Sequence, residues 1–318
     1  MSLRKFYLSP FLLLTLLFVS KNTWATFSII ACEQKTKVCA AGVVTNNLAV
    51  GASVIYAESG VGAIATQFET NPNYGPRGLA LVREGNSAKD VLSVLLKQDN
   101  NFDGGSVADR QVAIVTSKKS VASFTGEHAQ ESMWSGVIEG RNYSVQGNGL
   151  VGQNVLDAMQ EAFQNGQGNM AERIMDALLA GQNAGGQSTG SMSAAILVKT
   201  PAGFPHDIDF RVDNSRQPVK DLNELVNLHY ARQLIIKAER IAARTSFDQA
   251  MSTIELAISK GEPWDRIWRR AARLAVKHQR NDEALLFLKQ FKALNPKWFD
   301  IEIEQPQYEA VRNRTGLK

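Results

Sequence analysis

The sequence predicts an α+β domain followed by an all-α segment. Between residues 26 and 218, apolar patterns typical of strands and helices occur in groups, in the order strands, helices, strands, helices, strands. Grouped elements favour a layered α+β domain over a doubly wound parallel sheet, which requires alternation. From residue 219 the strand patterns stop, and residues 219–298 are helical in pattern. A length of 318 residues suits one large domain and a smaller one.

Strands are predicted where short apolar runs are separated by glycines or polar turns. The runs cover residues 26–32, 38–44, 48–56, 61–68, 110–116, 120–125, 141–147, 192–198 and 207–212. Strands spaced this closely pair as antiparallel neighbours.

Helices are predicted where apolar residues recur at spacings of three and four. In the first domain this pattern covers residues 78–98, 151–164 and 170–181. Within the first segment, Ser87 stands three residues before Asp90, and a serine hydroxyl at this position accepts a hydrogen bond from the backbone of the first turn. A helix is therefore expected to begin just after Ser87.

The helical segment contains a 34-residue repeat. The repeated residues are Asp248-Gln-Ala250 with Asp282-Glu-Ala284, and Trp264 with Trp298. Trp268, Ala284 and Pro296 also occupy the Trp, Ala and Pro positions of the tetratricopeptide consensus. Because fewer than three repeats rarely fold alone, we expect residues 219–298 to pack on the first domain. Residues 299–318 are expected to form a tail.

Residues 1–25 match the three-part pattern of a secretory signal sequence. Basic residues near the start precede an apolar run over residues 11–19, and Thr23-Trp24-Ala25 places small residues at the −3 and −1 positions. The run is too short to span a bilayer comfortably, which argues against a membrane anchor. Cleavage after Ala25 would make Thr26 the first residue of a periplasmic or secreted protein.

A second cleavage site is also present. Ile29-Ile30-Ala31-Cys32 resembles a bacterial lipoprotein box, in which Cys32 would be lipidated and become the first residue. This alternative would remove Thr26 from the mature chain.

Cys32 and Cys39 are the only cysteines, and an even count in an exported chain favours a disulfide. They flank the polar turn 33–37, and a hairpin centred between Lys35 and Thr36 would place them opposite each other. Non-hydrogen-bonded cross-strand partners come close enough to be bridged. The alternative is a pair of buried free thiols, whereas two cysteines without a histidine cluster do not form a metal site.

Charge is divided unevenly along the chain. Residues 26–218 contain 14 basic and 18 acidic residues, and residues 219–318 contain 18 and 13. Three of the four net positive charges lie in residues 1–25. The nearly neutral remainder lacks the basic footprint of nucleic-acid binding.

A stripe of basic residues lies within the helical segment. Its members are Arg266, Arg269, Arg270, Arg273, Lys277 and Arg280. Their spacing places them on one helix face. Two interpretations stay open: a solvated face, or contact with an anionic cell-envelope or protein partner such as phosphate groups or peptidoglycan carboxylates.

Six ordered blocks stand out in the first domain. They are Thr26-Phe-Ser-Ile-Ile, Glu58-Ser-Gly-Val-Gly-Ala-Ile-Ala-Thr-Gln67, Thr70-Asn-Pro-Asn-Tyr-Gly-Pro-Arg-Gly-Leu79, Thr125-Gly126, Gln146-Gly-Asn148 and Ser193-Ala-Ala-Ile-Leu197. Together these blocks resemble a bacterial family of unknown function, DUF1028. The resemblance covers roughly residues 26–230. It implies the four-layer αββα sandwich of N-terminal nucleophile (Ntn) hydrolases, and it implies no particular substrate.

Ntn chemistry requires a hydroxyl or thiol on the first residue and a free α-amine to accept its proton. An α-amine suits this role because its ordinary pKa is roughly 7.7–8.0. Cleavage after Ala25 would give Thr26 both groups, so the resemblance implies that Thr26 is nucleophile and base. The alternative is an ordinary strand residue that follows a cleavage site by chance.

Substrate contacts and an oxyanion hole are expected from polar residues inside apolar or glycine-rich blocks. The candidates are Gln67, Asn71, Asn73, Tyr74, Arg77, Gln146 and Asn148. Asn71 and Asn73 also suit a turn, and Arg77 suits either a substrate carboxylate or a helix cap. Glu58 either orients the α-amine or faces solvent.

The sequence departs from the family at two blocks. Where relatives often have Gly-Gly-Asp-Arg-Arg-Gly-Arg-Gln-Ser-Ala, this chain has Gly185-Gly-Gln-Ser-Thr-Gly-Ser-Met-Ser-Ala194. Likewise Asn46-Asn47 stands where Ser-Arg is common. The charged residues that these blocks supply in relatives are therefore missing here.

Two functional hypotheses follow. The first is an exported Ntn amidohydrolase acting on a small amide, a peptide or an acyl-amino acid. The second is a catalytically inactive Ntn-fold binding protein that recognises an envelope component through its cleft and helical repeats. The chain carries no phosphate-binding loop, dinucleotide fingerprint or clustered His/Cys set, so no cofactor or metal is expected.

Overall fold

Two antiparallel sheets and a C-terminal helical segment make up the computed structural model, which describes residues 25–312. The predicted signal sequence up to residue 24 and the last part of the predicted tail, 313–318, lie outside the described residues. The predicted combination of an α+β domain with a helical segment is confirmed.

The first sheet has six strands. In spatial order they are β10 (Ile208–Val212), β9 (Ser193–Lys199), β2 (Cys39–Thr45), β1 (Thr26–Cys32), β8 (Tyr143–Leu150) and β7 (Trp134–Glu139). Every neighbouring pair is antiparallel. The strand β1 is therefore central and is hydrogen-bonded on both sides.

The second sheet has four strands, also antiparallel. In spatial order they are β3 (Ile55–Glu58), β4 (Gly62–Phe68), β5 (Arg110–Thr116) and β6 (Val121–Thr125). Its inner face packs on the inner face of the first sheet through small and branched side chains such as Ala65 and Val115, which meet Ile30 and Val43.

Helices cover the outer face of each sheet. The helices are α1 (Tyr74–Arg83), α2 (Ala88–Lys97), α3 (Glu127–Gln130), α4 (Asn154–Asn165) and α5 (Met170–Asn183). Of these, α1 and α2 pack on the second sheet, and α4 and α5 pack on the first. Each sheet thus lies between a helical layer and the other sheet, which buries both of its faces.

Side chains of β1 alternate between these two environments, as the period of a strand requires. Phe27 and Ile29 pack against the helices α4 and α5, whereas Ile30 and Cys32 pack against the second sheet. Thr26 and Ser28 share the face of Ile30, so they point between the sheets.

Two predictions along the first domain were wrong in detail. Residues 48–56 are not one strand, because a 3-10 turn at Val50–Ala52 precedes β3, and Ala49 before it has a left-handed φ of 53°. The strand β7 was not predicted, since half of its residues are small or polar and none is fully buried. The N-cap at Ser87 is confirmed, because its side chain accepts from the backbone N–H of Asp90 at 3.2 Å.

The predicted disulfide is confirmed. Cys32 and Cys39 are cross-strand partners with Cα atoms 4.1 Å apart, and they are bridged. The adjacent pair, Glu33 and Val38, is joined by a backbone hydrogen bond of 2.8 Å, so the cysteines occupy a non-hydrogen-bonded position.

The C-terminal segment comprises α6 (Pro218–Arg244), α7 (Phe247–Lys260), α8 (Asp265–Lys277), α9 (Asn281–Leu294), α10 (Pro296–Ile303) and α11 (Glu309–Arg312). The longest helix, α6, joins two hydrophobic cores. Val219, Leu222 and Val226 belong to the core of the first sheet, whereas Ala231 and Ile235 belong to the core of the helices. Within residues 25–312, no helix has the length and apolar character that crossing a bilayer requires.

The helices α7 and α9 begin 34 residues apart, at Phe247 and Asn281, and end 34 residues apart. Ala250 and Ala284 hold equivalent places in these helices, and both are fully buried. The helix α7 packs chiefly on α6, and α9 packs chiefly on α8. The segment is therefore built from two successive helix pairs.

Candidate functional site

Thr26 lies at the start of the central strand, with a polar side chain on each side. Its cross-strand partners are Thr45 on β2 and Asn148 on β8. Thr26 is 7% exposed, and its Oγ1 lies 3.0 Å from Oγ1 of Thr45. Thr45 already donates its one hydroxyl proton to the carbonyl oxygen of Ala25, at 2.8 Å. Because a hydroxyl has one proton, Thr26 must be the donor between the two threonines.

Beside Thr26, four amide side chains form a buried cluster between the sheets: Gln67, Gln111, Gln146 and Asn148. Each is at most 1% exposed. Gln67 Nε2 donates to the carbonyl of Thr26 at 3.3 Å and to Gln111 Oε1 at 2.7 Å. Asn148 Nδ2 donates to the same oxygen at 2.9 Å. The cluster therefore ties both sheets to the backbone of Thr26.

Ser28, two residues along β1, links Gln146 to this cluster. Its Oγ donates to Gln67 Oε1 at 2.7 Å and accepts from Gln146 Nε2 at 3.4 Å. Gln111 connects the two sheets as well, since its Nε2 donates to the carbonyl of Gly147 at 3.0 Å and to Thr125 Oγ1 at 3.2 Å. These bonds fix the side-chain positions between the sheets.

Three buried amide oxygens at this end of the sandwich have no hydrogen-bond partner among the described residues. They are Gln146 Oε1, Asn148 Oδ1 and Gln187 Oε1. Buried polar atoms are nearly always hydrogen-bonded, so these unpaired acceptors mark places where a ligand or water can donate.

Gln187 comes from the loop that follows α5. Its Nε2 donates to the carbonyl oxygens of Ala25 and, at 3.0 Å, of Val44. Gly185 and Gly186 have φ values of 111° and 56°, in the region that favours glycine, and they let the loop turn towards the end of β8. The loop therefore carries Gln187 to the start of β1.

The seven predicted contact residues fall into two groups. Gln67, Gln146 and Asn148 lie in the cluster beside Thr26. Asn71, Asn73, Tyr74 and Arg77 line a separate pocket of about 220 Å³ at the start of α1.

In that second group, Asn71 and Tyr74 donate hydrogen bonds to the acidic member of a buried ion pair. Asp99 and Arg110 pair at 3.0 Å, and Asp99 also accepts from Asn71 Nδ2 at 3.0 Å and from the Tyr74 hydroxyl at 2.6 Å. Burial alone would raise the pKa of Asp99, but hydrogen bonds from Arg110, Tyr74 and Asn71 outweigh it and lower the pKa. The hydrogen bonds of Asn71 and Tyr74 to Asp99 therefore hold the start of α1 in place. Asn73 and Arg77, in contrast, are exposed.

Glu58 forms an exposed ion pair with Arg83 on α1. These contacts agree with the second interpretation given above, in which Glu58 faces solvent and does not orient the α-amine of Thr26.

Most arginines of the basic stripe are engaged within the helical segment. Arg269 and Arg273 pair with the fully buried Glu302, and Arg270 pairs with Glu239 at 2.5 Å. Arg280 pairs with acidic residues of two helices, Asp248 on α7 and Glu283 on α9.

The remaining two members of the stripe are exposed. Arg266 lies over the rings of Trp264 and Trp298, with its guanidinium carbon 5.8 and 5.7 Å from their centroids. Lys277 lies at the end of α8. A partner at this face would therefore meet Arg266 and Lys277 first.

Sequence reasoning missed Ser28, Thr45, Gln111 and Gln187. Two of these residues could have been predicted from the sequence. Thr45 becomes the partner of Thr26 when the register of the Cys32–Cys39 hairpin is continued. Gln187 lies in the block Gly185–Ala194, whose sequence was described above as a departure from the family pattern. Across residues 25–312, His, Cys, Asp and Glu side chains form no group of three with metal-binding geometry.

Residues 26–222 match the family of unknown function DUF1028. The match covers more than half of the chain, so the protein belongs to this family. A crystal structure of a DUF1028 protein from Silicibacter pomeroyi is similar to this chain, with 29% sequence identity and a TM-score of 0.57. That similarity covers 64% of this chain and 84% of the other. No match was found among curated proteins.

Proposed function

We propose that the protein is an exported Ntn amidohydrolase whose nucleophile and general base both belong to Thr26. The observation that carries the proposal is the position of Thr26, which begins the central strand, points between the sheets and has a cluster of buried amides beside it. Residues 1–25 must be removed first, because the backbone nitrogen of Thr26 is an amide until then and accepts no proton.

The layer order supports this proposal. Helices outside two facing antiparallel sheets are what the αββα sandwich of Ntn hydrolases requires. The Cys32–Cys39 bridge supports export to the periplasm or beyond, since disulfides persist in oxidising compartments.

In the proposed reaction, the α-amine of Thr26 takes the hydroxyl proton as Oγ1 attacks the substrate's amide carbonyl carbon. The carbonyl electron pair moves to its oxygen. Collapse of this intermediate breaks the C–N bond, and the ammonium returns the proton to the leaving amine. Water then attacks the acyl-threonine ester by the reverse sequence, releasing a carboxylic acid and restoring Thr26.

The test begins with the mature chain and its first residue. Mass spectrometry of the exported protein should give a chain that begins at Thr26. Incubation with p-nitrophenyl acyl esters should release p-nitrophenol and leave one acyl group on the N-terminal peptide. Thr26→Ala should abolish both, and Thr26→Ser should retain them. A mature chain that begins at another residue, or equal turnover by Thr26→Ala, would exclude the mechanism.

The second hypothesis, an inactive binding protein, is favoured by the burial of Thr26, which is only 7% exposed. Under this hypothesis the sandwich binds without reacting, and Thr26→Ala leaves ligand binding unchanged. A screen of amides, peptides and acyl-amino acids by thermal shift, followed by turnover assays on each hit, separates binding from hydrolysis.

We further propose that the C-terminal segment is a tetratricopeptide-like extension that mediates association with an anionic envelope partner. The 34-residue offset between α7 and α9, with Ala250 and Ala284 buried at equivalent places, supports the repeat. Because Arg269 and Arg270 hold internal ion pairs, the informative variant is Arg266→Ser with Lys277→Ser. It should weaken co-sedimentation with peptidoglycan while changing thermal stability only slightly, through the loss of the exposed Arg266 contact with Trp264 and Trp298. Equal co-sedimentation would refute association through this face.

A further inference from the structure

The carbonyl oxygen of Ala25 is held by two side-chain donors next to the proposed nucleophile. Thr45 Oγ1 donates to it at 2.8 Å, and Gln187 Nε2 donates to it as well. Thr45 is 3% exposed and Gln187 is 4% exposed. We call Thr45 and Gln187 the two-donor site.

The orientation of the Gln187 amide is determined by its surroundings. Two backbone carbonyl oxygens, those of Ala25 and Val44, lie within hydrogen-bonding reach of the same end of this side chain. Only the NH2 end can satisfy two acceptors, so the nitrogen must be placed there. One N–H is anchored on Val44, and the other is directed at the oxygen of Ala25.

Removal of residues 1–25 takes the Ala25 carbonyl away and leaves both donors without that partner. An unpaired buried donor is costly, so the two-donor site then favours another oxygen acceptor. The same Thr45 Oγ1 that contacts the Ala25 oxygen is 3.0 Å from Thr26 Oγ1. An oxygen bound there lies beside the nucleophile.

We infer that Thr45 and Gln187 bind the carbonyl oxygen of the substrate's acyl group and stabilise the negative charge that develops on it, an inference that rests on the proposed function. As Thr26 Oγ1 bonds to the carbonyl carbon, the π electron pair moves onto this oxygen. The two donors strengthen their hydrogen bonds to it without moving, because the sandwich already fixes them.

The two-donor site also indicates the chemical class of the acyl group. The partners found for Thr26, Thr45 and Gln187 are hydroxyls, amides and backbone carbonyls, all of them uncharged. The α-amine of Thr26 is neutral as well when it acts as the base, so a free carboxylate brought here would lose its hydration without gaining a cationic partner, which is strongly unfavourable. The site therefore suits the carbonyl of an uncharged acyl group.

The experiment measures acylation of the chain that begins at Thr26, using p-nitrophenyl butyrate and the anionic p-nitrophenyl hemisuccinate. Thr45→Val and Gln187→Leu each remove one donor at nearly constant size. Each should lower kcat about 10²–10³-fold with KM nearly unchanged, as loss of an oxyanion donor does. Thr45→Ser keeps the hydroxyl and should restore most of the rate. The butyrate ester should react faster than the hemisuccinate.

The matched control is Gln160→Leu, which removes a glutamine that donates to Tyr143 at 2.8 Å in the outer layer. It should acylate at the wild-type rate. Acylation of Thr26 at unchanged rates in both donor variants would overturn the inference but would still support Thr26 as the nucleophile. No acyl group on Thr26 in the wild type would overturn the inference together with the proposed function.

Discussion

Asp99 and Arg110 form an ion pair that is almost completely buried. Nε of Arg110 lies 3.0 Å from Oδ2 of Asp99, and the two side chains are 1–2% exposed. Arg110 also donates to the carbonyl of Glu69 at 2.8 Å, just beyond the end of β4. The pair therefore joins the start of α1, β5 and the end of the strand that carries Gln67.

Loss of one partner of this pair should be strongly destabilising. Arg110→Met leaves the Asp99 carboxylate buried without its cation, and such changes cost about 3–5 kcal/mol. Urea unfolding of a chain of residues 26–318 measures the loss. Arg83→Met, which breaks the exposed pair with Glu58, is the matched control and should change stability little. Similar losses in both variants would mean that burial does not determine how much the Asp99–Arg110 pair contributes to the free energy of unfolding.

Glu302 predicts a pH dependence of stability. Burial raises the pKa of this carboxyl, but hydrogen bonds from Arg273, Tyr308 and Arg269 outweigh it, so the pKa in the folded state lies below the ordinary 4.5. A lowered folded pKa stabilises above the unfolded value and the gain is lost as pH falls through the folded one. Unfolding free energy should therefore fall below about pH 4.5.

Glu302→Gln should remove this part of the acid dependence, and should lower stability most at neutral pH, where the carboxylate is charged. Urea titrations at pH 7, 5, 4 and 3 measure both effects. Parallel acid dependence in the wild type and Glu302→Gln would show that other carboxyls account for it.

Gln111 should be important for folding as well as for placing Thr26. Gln111→Leu leaves the N–H groups of Gln67 and Asn148 without their shared acceptor between the sheets. Each of these two buried groups left unpaired costs about 1–3 kcal/mol, so a loss of about 2–6 kcal/mol is expected in urea unfolding. Gln160→Leu, in the outer layer, should cost about 1 kcal/mol or less. Equal losses would contradict a special role for the inter-sheet cluster.

The helix α6 predicts where the chain can be shortened. A chain that ends at residue 217 loses Val219, Leu222 and Val226 from the core beneath the first sheet. A chain that ends at residue 230 keeps them. Burial of three aliphatic side chains is worth about 4 kcal/mol or more, so the shorter chain should unfold at a clearly lower temperature. Equal melting temperatures by circular dichroism would show that α6 is dispensable to the first domain.

Much of the fold could be predicted because its signals are local. Apolar runs and helical spacings located most strands and helices, and the turn between Cys32 and Cys39 gave both the hairpin and its bridge. The prediction of one strand over residues 48–56 was wrong because a left-handed Ala49 and a 3-10 turn leave no trace in an apolar pattern. The strand β7 was not predicted because its pairing with β8, not its composition, makes it a strand.

The site could be predicted only in part, for a physical reason. Gln67, Gln146 and Asn148 stand out because a polar residue inside an apolar strand needs a partner. Which partner it finds depends on how the two sheets face each other, and no local pattern contains that information. Asn71 and Tyr74 have the same polar character, yet their partner is Asp99, on the other side of the second sheet.

The Cys32–Cys39 disulfide at the end of β1 also fixes the strand register at the start of β1, where Thr26 lies. A slip of β1 by one residue would turn every side chain over, so that Phe27 would enter the amide cluster and Thr26 would face the helices. The covalent link between residues 32 and 39 forbids this slip, and it forms only where thiols are oxidised. Oxidation of these two cysteines thus locks the alignment that sets Thr26 opposite Thr45.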